Sequence, residues 1–164
     1  MRPRVPASIA ACLTALAIAA PVMAASPVGA QLAQLRAATD KYHDVSVAIA
    51  DGYTPTEDCV SSPAGGMGYH YVNVAEAMNP ASSPTKPDVL LYAPSPSGPR
   101  LVGVEWIVFD ADQDMATVEH HSVLGQALHG PMTHGLPVHY DLHAWIWQAN
   151  PQGLFEDFNP NVRC

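Results

Sequence analysis

Six of the chain's eight histidines fall between positions 120 and 143: His120, His121, His129, His134, His139 and His143. Neutral imidazole is the commonest protein ligand for transition metals, and it titrates near neutral pH. The last two frame the stretch His139-Tyr140-Asp141-Leu142-His143. On a helix, residues four apart share one face and can share an ion. The helical zinc-protease pattern needs a Glu directly after its first histidine, and Tyr140 stands there instead, so peptidase chemistry is not supported. Glu105 is the second pointer. It lies inside the most apolar stretch of the chain, and a buried carboxylate is costly unless paired, hydrogen-bonded or metal-bound. His70 occupies another strand-like segment. Convergence of His70, Glu105 and His143, with His139 or Asp141 beside them, would give two or three imidazoles and a carboxylate. Such a set holds a divalent transition ion (Zn, Cu or Fe), for storage, delivery or a small metalloenzyme, and an open position could activate water. The same residues fit two other readings. One is a structural polar network in a non-metal ligand-binding or interaction module. The other is a Glu–His acid/base pair without metal.

The remaining constellations fail on residue type. Asp110 to Asp114 starts like a calcium loop, but Met115 stands where Gly is needed and His121 where a bidentate Glu is needed. Gly65 to Gly68 lacks the basic neighbours and following helix of a phosphate cradle. No G-x-S-x-G nucleophile motif occurs. Trp106, Trp145, Trp147, Tyr140, Phe155 and Phe158 read as core, with a ligand pocket as the alternative. His120, His121, His129 and His134 sit in a Gly/Pro-interrupted region and read as exposed loop imidazoles.

These groups need elements to position them. Gln31 to Asp51 reads as one helix, with Leu32, Leu35, Tyr42, Val45 and Ile49 on its apolar face and Gly52 as the stop. Thr54 to Gly68 carries Pro, Gly and Cys59 and reads as irregular. Tyr69 to Val74, Val89 to Tyr92 and Leu101 to Phe109 read as strands. The last is apolar on both faces, hence central and covered on both sides. Val102, Val104, Trp106 and Val108 form one of its faces. Thr117 to His129 reads as a short helix. Val138 to Asn150 fits a helix slightly better than a strand, since Asn150-Pro151 and Gly153 resemble a helix end; as a strand it would align His139, Asp141 and His143 on one face. The expected architecture is an α+β domain with a small mixed or antiparallel sheet, an N-terminal helix and long loops.

The N-terminus reads as an export signal over residues 1–24. Arg2 and Arg4 give a positive start, Ile9 to Ala20 an apolar run of about a dozen residues, and Val22-Met23-Ala24 a small-residue cleavage site. Cleavage would leave 25–164 as a single domain in the periplasm or outside the cell, with no further membrane segment. It would also leave five basic residues against fifteen acidic ones, a formal net charge of −10. No basic stripe remains for a phosphate backbone, which argues against nucleic acid as a partner and leaves a metal ion or small molecule. Two cysteines would remain, Cys59 and Cys164. In an oxidising compartment they suggest one disulfide, closing a loop of about 105 residues; a thiolate ligand pair is the alternative.

Four stretches carry a resemblance. They are Gly66-Met67-Gly68-Tyr69-His70-Tyr71-Val72-Asn73, Leu101-Val102-Gly103-Val104-Glu105-Trp106-Ile107-Val108, Pro137-Val138-His139-Tyr140-Asp141-Leu142-His143-Ala144-Trp145-Ile146-Trp147 and Asn159-Pro160-Asn161-Val162-Arg163-Cys164. With the Ala-rich segment ending Asp51-Gly52-Tyr53, they resemble a family of small exported bacterial proteins of uncharacterised activity. The resemblance implies export and a single domain and names no chemistry.

Overall fold

The computed structural model describes residues 26–133 and 135–164. The expected export signal and His134 lie outside the described residues. Helix α1 spans Pro27–Thr39, started by Pro27 at its first position and by Ser26, whose hydroxyl accepts the Gly29 N–H. The single helix expected over 31–51 is broken. A 3₁₀ turn, Asp40–His43, follows α1, and a new helix α2 runs Val45–Ala50. The cause is Asp44, whose carboxylate accepts the Ser46 N–H at 2.9 Å and so caps α2. The break resets the helical phase. Leu35, Tyr42 and Ala48 are buried, while Ile49, expected on the apolar face, is 54% exposed.

Six strands form one sheet: β1 (Thr54–Ser62), β2 (Gly65–Val72), β3 (Val89–Ala93), β4 (Arg100–Phe109), β7 (His129–Met132) and β8 (His139–Ala144). Their order is β1-β2-β3-β4-β8-β7, and every pairing is antiparallel. A small hairpin, β5 (Ser122–Val123) with β6 (Gln126–Ala127), lies between β4 and β7. Helix α3 (Val74–Ala77) follows β2. The fold is thus α+β, with an N-terminal helix packed with an antiparallel sheet and one disulfide, Cys59–Cys164. Among the described residues no helix is long and apolar enough to cross a membrane.

Four further expectations are corrected. Residues 54–68 are not irregular: they supply β1 and the start of β2, joined by a turn at Pro63-Ala64. The strand expected to reach Val74 ends at Val72, because the Asn73 side chain accepts the Glu76 N–H and starts α3. Residues 117–129 form turns and the β5–β6 hairpin, with Leu124 and Gly125 both at positive φ. Residues 139–144 are strand β8 and not helix. All six are buried, which a sheet covered on both faces permits and a one-striped helix does not.

Strand β4 is central, and Val104, Trp106 and Val108 share a face as expected. A bulge at its start, where the register slips between Leu91 and Tyr92, changes the face of the residues before it: Leu101 joins Val104 and Trp106, while Val102 packs on the other side. One sheet face carries Tyr92, Val104, Trp106, Tyr140 and Leu142 against Leu35, Tyr42 and Ala48 of the helical segment. Polar latches fix that layer. The Tyr92 hydroxyl donates to Tyr42 C=O at 2.6 Å, and Arg36 Nε donates to Ile146 C=O at 3.1 Å. The opposite face holds a smaller apolar cluster of Val89, Leu91, Val102, Ile107, Trp145 and Val162. That face is crossed by the C-terminal segment. Asn159 pairs with Gly66 of β2, Trp145 Nε1 donates to Glu156 C=O, and Cys164 is bonded to Cys59 of β1.

Candidate metal centre

Antiparallel pairing places Glu105 directly opposite His143, so both side chains leave the same face of β4 and β8. On the other side Glu105 pairs with Val89 of β3, and β3 separates it from β2. Two strand spacings are about 10 Å, and His70, which pairs with Leu91 two residues along β3 from Val89, lies on the same sheet face as Glu105. His70 Nε2 stands 3.5 Å from Glu105 Oε2, and His143 Nε2 stands 3.8 Å from the same oxygen. One atom from each of the three residues lies within 4.8 Å of the others. Ligands about 2.0–2.2 Å from one ion stand about 3.3–3.8 Å apart at tetrahedral to trigonal angles. The two separations from Glu105 Oε2 therefore match a ligand set and are too long for good hydrogen bonds.

The electrostatics agree with the spacing. Glu105 is 4% exposed, and its Oε2 has no hydrogen-bond partner among the described residues. Burial pushes its carboxyl well above the usual range, and the charges of Asp141, Asp88 and Asp157 push the same way. Burial pushes the His70 imidazole down to about 4, with a backbone bond to Gly68 acting in the opposite direction. Without a cation, burial thus works against the charged form of both Glu105 and His70. Asp88 is also buried and is pushed up to about 6; burial outweighs the 2.8 Å hydrogen bond from the Ile107 N–H.

A cavity of about 410 Å³ opens over this group, lined by His70, Glu105, His139, Asp141 and His143 and walled by apolar side chains including Met67, Val72, Ile107 and Phe158. The three-residue group therefore has an approach from outside, as a site with an open position requires. Sequence reasoning named His139 beside the group. It shares a strand face with His143, but four strand residues span about 13 Å. The structure puts it on the cavity wall and outside the three-residue group. Its Nδ1 donates to Pro137 C=O at 2.9 Å, which leaves the lone pair of the neutral ring on Nε2.

Other expected groups have local partners. His121 pairs with Glu119 at 2.8 Å. The acidic turn is self-satisfied: Asp110 Oδ1 accepts the N–H groups of Asp112 and Gln113. Sequence reasoning missed one group, His129, Asp141 and Asp157, whose ligand atoms also lie within 4.8 Å of one another. Gly130, at φ +145°, makes it feasible. A Cβ there would come within 2.7 Å of the Tyr140 ring, so only Gly lets β7 set His129 opposite Asp141. Asp157 arrives on the C-terminal segment, where no pattern marks it. Asp141 was legible, since a strand over 138–150 aligns it with His143. Compared with protein-family models, curated proteins and solved structures, the chain matches none, so the geometry of the site carries the functional reading.

Proposed function

We propose that this chain is an exported metal-binding protein that holds one divalent transition ion, Zn, Cu or Fe, through His70 Nε2, Glu105 Oε2 and His143 Nε2. The observation that carries the reading is Glu105 Oε2. It is a buried acid oxygen without a hydrogen bond, set at ligand spacing from two imidazoles. A network built only for structure would close those gaps, because a buried polar atom left unpaired costs about 1–3 kcal/mol. Two imidazoles with one carboxylate leave a coordination position open, and the cavity supplies a ligand-sized approach to it. This favours an ion that meets a small molecule there over one closed off for structure alone. The disulfide supports action in an oxidising compartment.

The test is the metal content of tag-free protein secreted through its own N-terminal segment, with Glu105→Gln and His143→Ala alongside. The reading predicts an ion at this centre, so each variant should bind at least one ion fewer per chain than wild type. Metal-free wild type that keeps its stability in chelator would remove it. The favoured reading would then be a metal-free pocket for a small apolar ligand, whose specific support is the apolar wall of the cavity.

A further inference from the structure

The His143 ring faces two groups at once. Its Nε2 points to Glu105, 3.8 Å away. Its Nδ1 lies 3.9 Å from Asp141 Oδ1 and 3.9 Å from Asp157 Oδ1. Asp157 also meets His129 Nδ1 at 2.8 Å. We propose that His129, Asp141 and Asp157 form a second divalent-cation site, and that His143 bridges the two sites through its two ring nitrogens. The proposal builds on the first centre proposed above.

An acidic cluster alone would not carry this inference. The second, independent observation is Asp141, which is 3% exposed and whose Oδ1 has no hydrogen-bond partner among the described residues. The His129–Asp157 pair is half-exposed and would be an ordinary surface contact by itself. It does not account for a buried carboxylate aimed at the same spot, set there by the pairing of His129 with Asp141 across β7 and β8. Two carboxylates with two imidazole nitrogens form a complete four-ligand set for a borderline ion such as Zn²⁺ or Cu²⁺. Glu105 and His70 complete the first centre on the other side of the ring.

Charge balance favours the pair. With both nitrogens coordinated, the His143 ring gives up its remaining N–H proton to solvent and becomes an imidazolate. The ring then carries one negative charge, and Glu105, Asp141 and Asp157 carry three more. Two divalent cations neutralise all four. Bonds of about 2 Å to each nitrogen put the two ions about 6 Å apart across the ring. That distance excludes a shared water bridge and makes the imidazole the only connection between them.

Cu²⁺ is the probe, because coupling through an imidazolate is visible in its electron paramagnetic resonance. The protein should carry His120→Ala and His121→Ala, which removes adventitious capture at those imidazoles. Titration is expected to reach two ions per chain. The first equivalent should give a mononuclear signal. The second should lower the integrated low-temperature intensity below that of the first, through exchange coupling. Asp141→Asn, and independently the half-exposed Asp157→Asn, should stop binding at one ion and restore the uncoupled signal. One ion in wild type, lost in Glu105→Gln and kept in Asp141→Asn, would overturn the second site and leave the first centre standing. Two ions whose signals simply add would overturn the bridge. No bound ion at all would remove the first centre as well.

Discussion

Replacing Glu105 with glutamine separates a metal ligand from a structural acid. In the metal-free protein burial and the neighbouring acids push the Glu105 carboxyl up, toward its uncharged form, which an amide resembles. Oε2 accepts no hydrogen bond that the exchange could remove. The stability of Glu105→Gln in chelator should therefore stay within about 1 kcal/mol of wild type. Saturation with Zn²⁺ behaves differently. At one hundred times the dissociation constant, mass action adds about 2.7 kcal/mol to the folded state. For a chain of this size one kcal/mol moves Tm by about 3–5 °C, so wild type should rise by about 10 °C more than Glu105→Gln does. The assay is thermal unfolding of both proteins in chelator and in buffered Zn²⁺. The reasoning fails if Glu105→Gln loses several kcal/mol in chelator, since Glu105 would then be a paired structural acid. It fails equally if wild type does not respond to Zn²⁺.

Three further outcomes follow from the same structure. His139→Ala should leave Zn²⁺ affinity within about threefold in calorimetry, while His70→Ala should weaken it at least about a hundredfold, because only His70 lies in the three-atom group. Asp88 is pushed up to about 6, above its unfolded value, so the folded protein binds this proton more tightly than the unfolded chain does. The stability it contributes is present below the unfolded pKa near 4 and is lost as pH rises through about 6; urea unfolding should show wild type gaining about 2 kcal/mol relative to Asp88→Asn between about pH 7 and pH 4. Replacing both Cys59 and Cys164 with serine should cost about 2–5 kcal/mol by loss of a loop of 105 residues, measured by denaturant unfolding.

The legible parts of this protein are those governed by local pattern. Alternating and doubly apolar runs marked β3, β4 and most of β2, and burial logic singled out Glu105 before any contact was known. The disulfide followed from counting the cysteines left after the expected export signal. Elements failed where side chains competed with the backbone or where tertiary cover overrode propensity. Asp44 and Asn73 cap new helices inside stretches whose apolar spacing runs through them. Residues 139–144 read as helix because their spacing suits it, yet cover on both faces makes them a strand. The crowd of histidines dispersed for the same reason. His139 and His143 point out of one strand face but about 13 Å apart, and the imidazole nearer to Glu105 Oε2 than His143 is His70, distant in sequence. The His129–Asp141–Asp157 group needed the return path of the C-terminal segment, which depends on long-range contacts that spacing does not encode.

Anomalous diffraction from crystals grown with Zn²⁺, recorded on both sides of the zinc edge, tests the central claim most directly. The account predicts a peak about 2 Å from His70 Nε2, Glu105 Oε2 and His143 Nε2, at the floor of the cavity. Density for zinc only at exposed imidazoles such as His120, with Glu105 Oε2 still 3.5 and 3.8 Å from His70 Nε2 and His143 Nε2 and no peak among them, would contradict it.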